Sequence, residues 1–264
     1  MAGVAVTALR GKTALITGGT AGIGLAIAQD FVRDGARVVI NGRDAERGRR
    51  ALATFGTRDH VRFSEADVTR GDAAGELVER TVAEYGRLDI LVNNAGGARS
   101  VGPVADTSDE DWEYTLRWNL DAVFRASRAA VRHMAPRGTG RIITISSAAG
   151  KVPTPLLTAY CTAKHAVHGF TKSLAAEVGT DGITVNAICP ALIRTDNLEE
   201  VARAYADRTG ITPEQWISQW TSANALKRPV TAAGVAAMAV LLASDAGADI
   251  TGSMLDVDGG VAPY

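Results

Sequence analysis

The chain has little of several features that would point to a particular compartment or partner. It contains two cysteines, Cys161 and Cys189, in 264 residues, which is too few for a disulfide framework and favours a reduced, cytoplasmic protein. Its formal net charge is -1, so no overall field attracts nucleic acid or an anionic membrane. At the N-terminus there is no basic start, and Lys12 interrupts before about 18 apolar residues accumulate. We therefore expect neither a signal peptide nor a membrane helix.

What the chain does have is the composition and periodicity of a globular α/β protein. Hydrophobic residues make up 46% of it and charged residues 22%, both ordinary values. Short apolar strands alternate with helical patterns, which predicts a Rossmann-type, doubly wound parallel sheet of about seven strands flanked by helices. No linker divides residues 1–264, so a single domain is expected.

The predicted elements leave one long irregular stretch. Strands are predicted at 13–17, 36–40, 61–65, 88–92, 141–146, 184–188 and 254–257. Helices are predicted at 22–33, 45–55, 72–85, 109–134 (as one helix or two), 157–178 and 231–243. Residues 191–229 carry no strand pattern and are expected to form a lid over a substrate.

A glycine-rich turn follows the first predicted strand. Gly18, Gly22 and Gly24 lie between this strand and the next helix, where backbone can approach a pyrophosphate and free N–H groups bind anions. The alternative is a glycine-rich turn with no ligand. The position directly after the first strand favours a dinucleotide cofactor.

The end of the second strand bears on which dinucleotide binds. An acidic residue there would bond the 2′-hydroxyl of NAD, but the chain has Asn41, Gly42 and Arg43 instead. Arg43 can form charge-assisted bonds to a 2′-phosphate, so NADP(H) is favoured and NAD(H) is possible. The alternative is a solvated arginine, with Asp44 capping the next helix.

Polar residues follow the third and fourth strands. Asp67, before Val68, can accept a bond from the adenine amino group, or can be a turn residue that caps toward the next helix. Asn93, Asn94, Ala95 and Gly96 end the fourth strand, at the edge where such sheets bind ligands. Asparagine and glycine also form ordinary turns, so position is what favours a functional role.

Tyr160 and Lys164 are four residues apart on a predicted helix and share a face. A phenol has a pKa of about 10, and lowering it to about 7 requires about 4 kcal/mol from nearby cations. The Lys164 ammonium and a bound nicotinamide cation both favour the phenolate. The alternative is an ordinary surface pair. Combined with the upstream glycine turn, the pair predicts a nicotinamide-dependent carbonyl/alcohol oxidoreductase.

Two further polar residues fit this chemistry. Ser147 ends the fifth strand, where its hydroxyl can bond the substrate oxygen, and Ser146 is expected to face the other side of the pleat. Asn119 lies within a long predicted helix. It is either a buried polar cap or the site of a kink whose freed carbonyl holds a water near Lys164.

These motifs together resemble the short-chain dehydrogenase/reductase family, including its 3-oxoacyl-carrier-protein reductase-like members. The resemblance covers nearly the whole chain in the family's order. It rests on Thr17 to Gly24, Asn93 to Gly96, Asn119, Ser147, Tyr160, Lys164, Asn186, Pro190 and Asp258 to Gly260. Two positions depart from it: Ala191 replaces the usual glycine after Pro190, and Ala21 stands where many NADP-dependent members carry a basic residue.

The resemblance implies a role for each site residue. Tyr160 exchanges a proton with the substrate oxygen, Ser147 orients that oxygen, Lys164 bonds the nicotinamide ribose and lowers the pKa of Tyr160, and Asn119 completes a proton relay. Asp67 contacts adenine, Asn94 the adjacent ribose region and Thr195 the nicotinamide amide. The expected cofactor contacts are Gly18, Thr20, Gly22, Ile23, Gly24, Arg43, Asp67, Val68, Asn94, Ala95, Gly96, Tyr160, Lys164, Pro190, Ile193 and Thr195. No metal is expected, and the family implies a homotetramer or homodimer.

The substrate is less defined. Thr212 and Pro213 predict a helix start, after which Trp216 and Trp220 share one face with Ile217. Either the tryptophans form a lid over an apolar or aromatic ketone, with Ser147 and Tyr160 as the other substrate contacts, or they pack in the core or an interface. The partner is expected to be a small carbonyl or alcohol.

Three alternative functions stay open. The first is a 3-oxoacyl-carrier-protein reductase, for which Arg128, Arg132 and Arg137 would form part of a docking patch, although Ala176 and Glu177 place no basic residue where such reductases often have one. The second is a catalytically silent dinucleotide-binding or sensor subunit. The third is an epimerase or dehydratase that uses the cofactor transiently.

Overall fold

The computed structural model describes residues 7–56 and 59–262. Most of the segment on which the signal-peptide prediction depends, residues 1–6, lies outside the described residues. The described chain forms one seven-stranded sheet, ordered β3-β2-β1-β4-β5-β6-β7, with every neighbouring pair parallel. The predicted fold class is confirmed.

The strands are short and mostly buried. They are β1 Thr13–Ile16, β2 Arg37–Gly42, β3 Val61–Glu65, β4 Ile90–Asn93, β5 Gly140–Ile145, β6 Ile183–Pro190 and β7 Met254–Val257. Side chains alternate between the faces: Ala14 and Ile16 enter one core cluster, and Leu15 enters the other. This covering of both faces explains why the central strands β1 and β4 are buried along their whole length, whereas β3 and β7 at the sheet edges are partly exposed.

Nine α-helices are found among the described residues. They are α1 Gly22–Arg33, α2 Ala45–Ala53, α3 Ala73–Tyr85, α4 Asp109–Leu116, α5 Ala122–Met134, α6 Thr158–Val178, α7 Asp196–Thr209, α8 Pro213–Ala223 and α9 Ala232–Ala243. One core cluster joins the sheet to α1 and α9, and the other joins it to α3, α5 and α6. Within the described part of the chain, no helix has the length and apolar character needed to cross a membrane.

Two regions differ in detail from the sequence-based prediction. The predicted helix at 109–134 is divided into α4 and α5 by a π-helical segment, Arg117–Asp121. The strandless stretch contains the predicted α8, whose Thr212 and Gln215 form a reciprocal capping box. It also contains α7, which was not predicted.

The strand order fixes where a ligand can bind. The chain proceeds outward from β1 to β2 and β3, then returns to place β4 on the other side of β1. The helices that follow β1 and β4 therefore leave in opposite directions and open a crevice at the carboxyl edge. The glycine turn after β1 and the asparagine turn after β4 both lie at this switch point.

Candidate active site

Two adjoining cavities occupy the carboxyl edge of the sheet. The first, which we call the groove, has about 2010 Å³ of empty volume including its open mouth. Most predicted cofactor residues line it: Gly18, Thr20, Gly22, Ile23, Arg43, Asp67, Val68, Asn94, Ala95, Gly96, Tyr160, Lys164 and Thr195. Pro190 and Ile193 line the second cavity instead. Gly24 lies behind the groove, against Asn94.

Asn94 braces the glycine turn from the next strand. Its Nδ2 donates to the carbonyl oxygens of Thr17 and Gly18, each at 2.9 Å. A Cβ on Gly24 would lie 2.5 Å from that Nδ2, and one on Gly18 would lie 3.0 Å from it. These two glycines therefore leave the space that the Asn94 amide occupies. The sequence had suggested only that the glycines let the backbone approach a pyrophosphate closely. The Asn94 donors are engaged within the protein, although the residue also lines the groove.

The far end of the groove carries positive charge. Arg43 lines it and donates from Nη1 to the Tyr114 hydroxyl at 3.2 Å. Asp44 accepts from the Arg47 amide at 2.8 Å and caps α2. The helix cap at Asp44 and the groove position of Arg43 are therefore both present. Arg47 lines the groove as well. Sequence reasoning missed it, although its spacing of four from Arg43 near the start of a helix was a usable signal.

Asp67 lies in the groove and holds its own turn. It lines the groove, and its Oδ1 accepts from the Thr69 amide at 3.0 Å and the Thr69 hydroxyl at 2.7 Å. Burial acts to raise the pKa of this carboxyl, but the Thr69 hydrogen bonds outweigh burial and the net pKa is lowered. Asp67 is therefore an ionised acceptor fixed by its own turn.

Tyr160 and Ser147 meet at the junction of the two cavities. The Tyr160 hydroxyl lies near the Ser147 side chain, which acts to lower the pKa of the phenol, and Ser147 Oγ accepts from the Ala149 amide at 3.1 Å. Ser146 Oγ lies 2.9 Å from His168 Nε2, although the residue also lines both cavities. A carbonyl oxygen within reach of Ser147 and Tyr160 would meet two hydroxyl groups.

The pKa of Tyr160 differs from the value near 7 that the sequence argument required. Burial raises it to about 12, and the Ser147 bond acts in the opposite direction. Lys164 Nζ donates to the Ile145 carbonyl at 3.0 Å and lies 5.6 Å from the Tyr160 ring centroid. Burial also lowers the pKa of Lys164 to about 8. The protein alone therefore holds Tyr160 as a protonated phenol.

Asn119 lies in the π-helical segment and is completely buried. Its Nδ2 donates to the Gly97 and Thr115 carbonyls at 2.9 Å each, and its Oδ1 accepts from the Gly97 amide at 3.0 Å. The predicted helix irregularity is thus present at this residue. The Asn119 side chain pins the loop after β4 beside Lys164, and a proton relay through water stays a prediction.

The second cavity, which we call the apolar cavity, has about 840 Å³ of empty volume. Ser147 and Tyr160 lie in its wall, and no charged side chain is among the described residues that line it. Further polar groups come from Ser146, Thr154, Thr195 and Asn197. Most of the remaining wall is apolar: Ile23, Ala98, Ala148, Ala149, Leu157, Pro190, Ala191, Leu192, Ile193, Leu198, Val201, Trp216 and Trp220.

The two roles proposed for Trp216 and Trp220 are not exclusive. Trp216 is 3% exposed, and its ring centroid lies 5.2 Å from that of Tyr205 and 6.3 Å from that of Trp220. These rings form a small core between α7 and α8 with Leu198. Trp216 and Trp220 also wall the apolar cavity. The pair therefore packs internally and faces the cavity.

The arginine patch suggested for carrier docking is mostly engaged within the protein. Arg137 donates to the Leu88 carbonyl at 2.8 Å and pairs with buried Asp89. Arg128 pairs with Asp72 at 3.3 Å and lies over the Phe124 ring at 5.0 Å. These contacts place the two guanidinium groups beside the protein's own acids, and the docking role of this patch stays a prediction.

The fold and the paired cavities define a Rossmann-type oxidoreductase. The family model described as "short chain dehydrogenase" matches residues 12–206. The chain belongs to this family. As a member, it interconverts carbonyls and alcohols with a nicotinamide cofactor.

Curated relatives match over almost the full chain. A D-beta-hydroxybutyrate dehydrogenase of Rhizobium meliloti (strain 1021) is 39% identical over 256 residues, which cover 94% of this chain and 98% of the relative. A 3-oxoacyl-[acyl-carrier-protein] reductase of Chlamydia trachomatis is 36% identical over 253 residues, covering 95% and 97%. A solved structure of a variant actinorhodin polyketide ketoreductase with NADPH has a TM-score of 0.90 and 35% identity, covering 96% and 98%.

Proposed function

We propose that the protein is an NADP(H)-preferring ketoreductase or secondary-alcohol dehydrogenase for uncharged, largely apolar substrates. Residues 1–264 would act as one catalytic domain, with α7 and α8 as the substrate lid. The observation that carries the proposal is the apolar cavity, which opens on Ser147 and Tyr160 and has no charged side chain among the described residues of its wall.

Each polar group at the junction has a distinct role in this proposal. Ser147 orients the substrate oxygen, and Tyr160 donates a proton to that oxygen during reduction or accepts it during oxidation. The high pKa of Tyr160, about 12 through burial, keeps the donor form populated. Lys164 and Asn119 hold the cofactor side of the site and connect Tyr160 to bulk water.

The groove fits a nicotinamide dinucleotide. The braced glycine turn leaves backbone at the N-terminus of α1 for a pyrophosphate, and Asp67 faces the groove as an ionised acceptor for adenine. The bound cofactor would supply or accept the hydride. Arg43, with Arg47 beside it, favours a 2′-phosphate, and no acidic residue ends β2. Support also comes from the NADPH in the similar ketoreductase structure.

The charge of the substrate separates this protein from its dehydrogenase relatives. Hydroxybutyrate, in the name of one relative, carries a carboxylate, and burying an unpaired carboxylate costs several kcal/mol or more. The apolar cavity offers Thr154 and Asn197 but no cation. We therefore infer a neutral ketone with apolar or aromatic substituents.

A matched pair of substrates tests the proposal. Methyl acetoacetate and acetoacetate share the reacting ketone and differ in one negative charge. We expect kcat/KM with NADPH to be at least about 100-fold higher for the ester, from the cost of the unpaired charge, and a further gain for longer apolar ketones. Equal rates for the two, or a preference for acetoacetate, would contradict a neutral-substrate site.

Tyr160→Phe provides the chemical control. It removes the acid and keeps the ring, so turnover should fall at least about 100-fold while NADPH still binds. Tyr85→Phe, at the end of α3, removes a hydroxyl outside both cavities and should keep wild-type turnover. Undiminished turnover in Tyr160→Phe, or no turnover by the wild type with any carbonyl, would favour a silent dinucleotide-binding protein.

We also propose a homodimer or homotetramer, as the family resemblance implies. Phe124 on α5 is 44% exposed and meets Phe170 of α6 edge-on, with ring centroids 6.3 Å apart. Exposed aromatic surface of this kind is common where subunits pack. Light scattering of the purified protein would give the mass directly, and a monomer would refute the proposal.

A further inference from the structure

Helix α6 carries a third polar residue in line with the two at the active site. Tyr160, Lys164 and His168 are spaced by four and so lie along one face of the helix. Each contacts a different residue at the end of β5. Tyr160 lies near the Ser147 side chain, which acts to lower its pKa. Lys164 Nζ donates to the Ile145 carbonyl at 3.0 Å, and His168 Nε2 lies 2.9 Å from Ser146 Oγ.

The imidazole of His168 is tightly enclosed. Its Nε2 also lies 3.4 Å from Cys189 Sγ, near the end of β6. A Cβ on Gly150 would lie 2.7 Å from both Cε1 and Nε2 of the ring. The ring therefore fills the space between the turn that follows Ser147 and the end of β6.

His168 is not placed to exchange protons with a substrate, because it is not among the residues that line either cavity. Burial lowers its pKa to about 4, and the Coulombic effects of His165, Lys151, Lys164 and Lys172 lower it further. The ring is neutral in ordinary buffers. A neutral imidazole can bond the Ser146 hydroxyl in either tautomer, since a hydroxyl both donates and accepts.

Ser147 depends on such an anchor because it lies beyond the paired part of the sheet. Strand β5 ends at Ile145, and the Ser146 amide makes the next contact, to the Ile188 carbonyl at 2.8 Å. Ser147 then enters the short turn Ala148–Gly150. Where reacting groups must be held closely, a 1 Å displacement can cost about 100-fold in rate.

We propose that His168 is a positioning residue for the reaction: by holding the Ser146 side chain, it fixes the spacing between Ser147 Oγ and the Tyr160 hydroxyl. The inference rests on the proposed function, in which these two hydroxyls bind the substrate oxygen. His168 acts through Ser146 and touches neither substrate nor cofactor.

The test uses His168→Leu, His168→Gln, Ser146→Ala and the double variant His168→Leu/Ser146→Ala. We expect His168→Leu to lower kcat about 10-fold or more, with the Kd for NADPH changed less than about 2-fold. Glutamine can place an amide nitrogen near the position of Nε2, so His168→Gln should recover most of kcat. The double variant should lose no more than the larger single loss, because both changes break one contact.

A pH profile separates positioning from a merely structural role. Ser147 acts to lower the pKa of Tyr160, and the nicotinamide cation of bound oxidised cofactor lowers it further. In that complex, the rise in alcohol-oxidation rate that follows Tyr160 deprotonation should move to higher pH in His168→Leu, where Ser147 is displaced, and stay at the wild-type pH in His168→Gln. If His168→Leu does not fold, Ser146→Ala carries the same expectations for kcat and the pH limb.

Two outcomes would overturn the inference. One is wild-type kcat and an unmoved pH limb in His168→Leu or Ser146→Ala. The other is an equal loss of kcat in His168→Leu and His168→Gln, together with a loss in the double variant that is the product of the two single losses. That result would indicate that His168 contributes packing alone. Tyr160→Phe run in parallel keeps the two proposals apart. If it stays active, the proposed function fails; if it is inactive while His168→Leu is normal, only the positioning role fails.

Discussion

At the scale of single side chains, the end of β2 determines how the groove binds a phosphate. The Asn41 side chain is turned inward, where its Nδ2 donates to the Ser64 and Ala66 carbonyls at 3.1 and 3.0 Å. Gly42 adds no side chain, which leaves Arg43 as the first side chain at the groove beyond the strand. Its contact with the Tyr114 hydroxyl orients the guanidinium across the mouth.

Arg43→Ala should therefore weaken NADP(H) binding selectively. The expected loss is about 1.5–3 kcal/mol, typical of a charge-assisted bond, with NAD(H) affinity nearly unchanged. Calorimetric titration with both cofactors measures the difference. Arg33→Ala provides a matched control, because this exposed arginine pairs with Asp30 on α1. Equal losses for both cofactors would contradict the assignment.

Residue identities at the site were predictable, but their ionisation was not. Tyr160, Ser147 and Lys164 are brought together as spacing and strand ends indicated. Burial of the phenol, which the sequence does not show, raises the pKa of Tyr160 to about 12, and the Lys164 ammonium donates to the Ile145 carbonyl. His168 could not be predicted as a site residue, because its contact with Ser146 depends on how α6 packs against the end of β5.

At the scale of elements, strands with both faces covered were the easiest to predict and the lid was the hardest. Apolar runs located all seven strands to within a few residues. Helix α7 was missed, although Leu198, Val201, Ala202 and Tyr205 follow a helical spacing and Thr195 caps it. The π-helical segment could not be predicted without knowing which loop Asn119 bonds.

The tryptophans of α8 should separate into different effects when truncated. Trp216 is 3% exposed and stacks on Tyr205, so Trp216→Ala should cost about 3 kcal/mol of unfolding free energy, within the usual range for a buried aromatic. Trp220 is half-buried on the cavity wall. Trp220→Ala should lower stability less and raise KM most for bulky apolar ketones.

Urea unfolding alongside kinetics on a ketone series distinguishes these effects. Ile217→Ala provides the control, because it truncates a buried neighbour on α8 that does not line the cavity. If Trp220→Ala leaves the substrate ranking intact and loses as much stability as Trp216→Ala, both rings belong to the packed core and the lid assignment fails.

At the scale of the whole molecule, His168 couples stability to pH. Its pKa is lowered from 6.5 to about 4 by burial and by the Coulombic effects of His165, Lys151, Lys164 and Lys172. Cys189 also contacts the ring, and Asp256 pairs with Lys151 at 2.7 Å. Between these pH values the unfolded chain binds a proton that the folded chain does not, so unfolding free energy rises with pH in this window.

We therefore expect stability to fall as pH decreases from about 6.5 toward 4. His168→Leu should flatten the dependence in this window, as measured by urea midpoints at half-unit pH steps. Carboxylates with lowered pKa values, such as Asp89, contribute a loss of the same sign in acid, so the wild type and the variant must be compared at each pH. Parallel curves would show that His168 does not control the effect.

The brace between Asn94 and the glycine turn affects how the protein meets its cofactor. Thr17 Oγ1 accepts from the Asn94 and Ala95 amides at 3.0 and 3.1 Å, while the Asn94 amide holds the turn's carbonyls. Because these hydrogen bonds hold the loop in one conformation, it has already lost most of its conformational entropy during folding. Little further conformational entropy of the loop is then lost when a dinucleotide binds. The association rate is set by diffusional encounter and not by rearrangement of the loop.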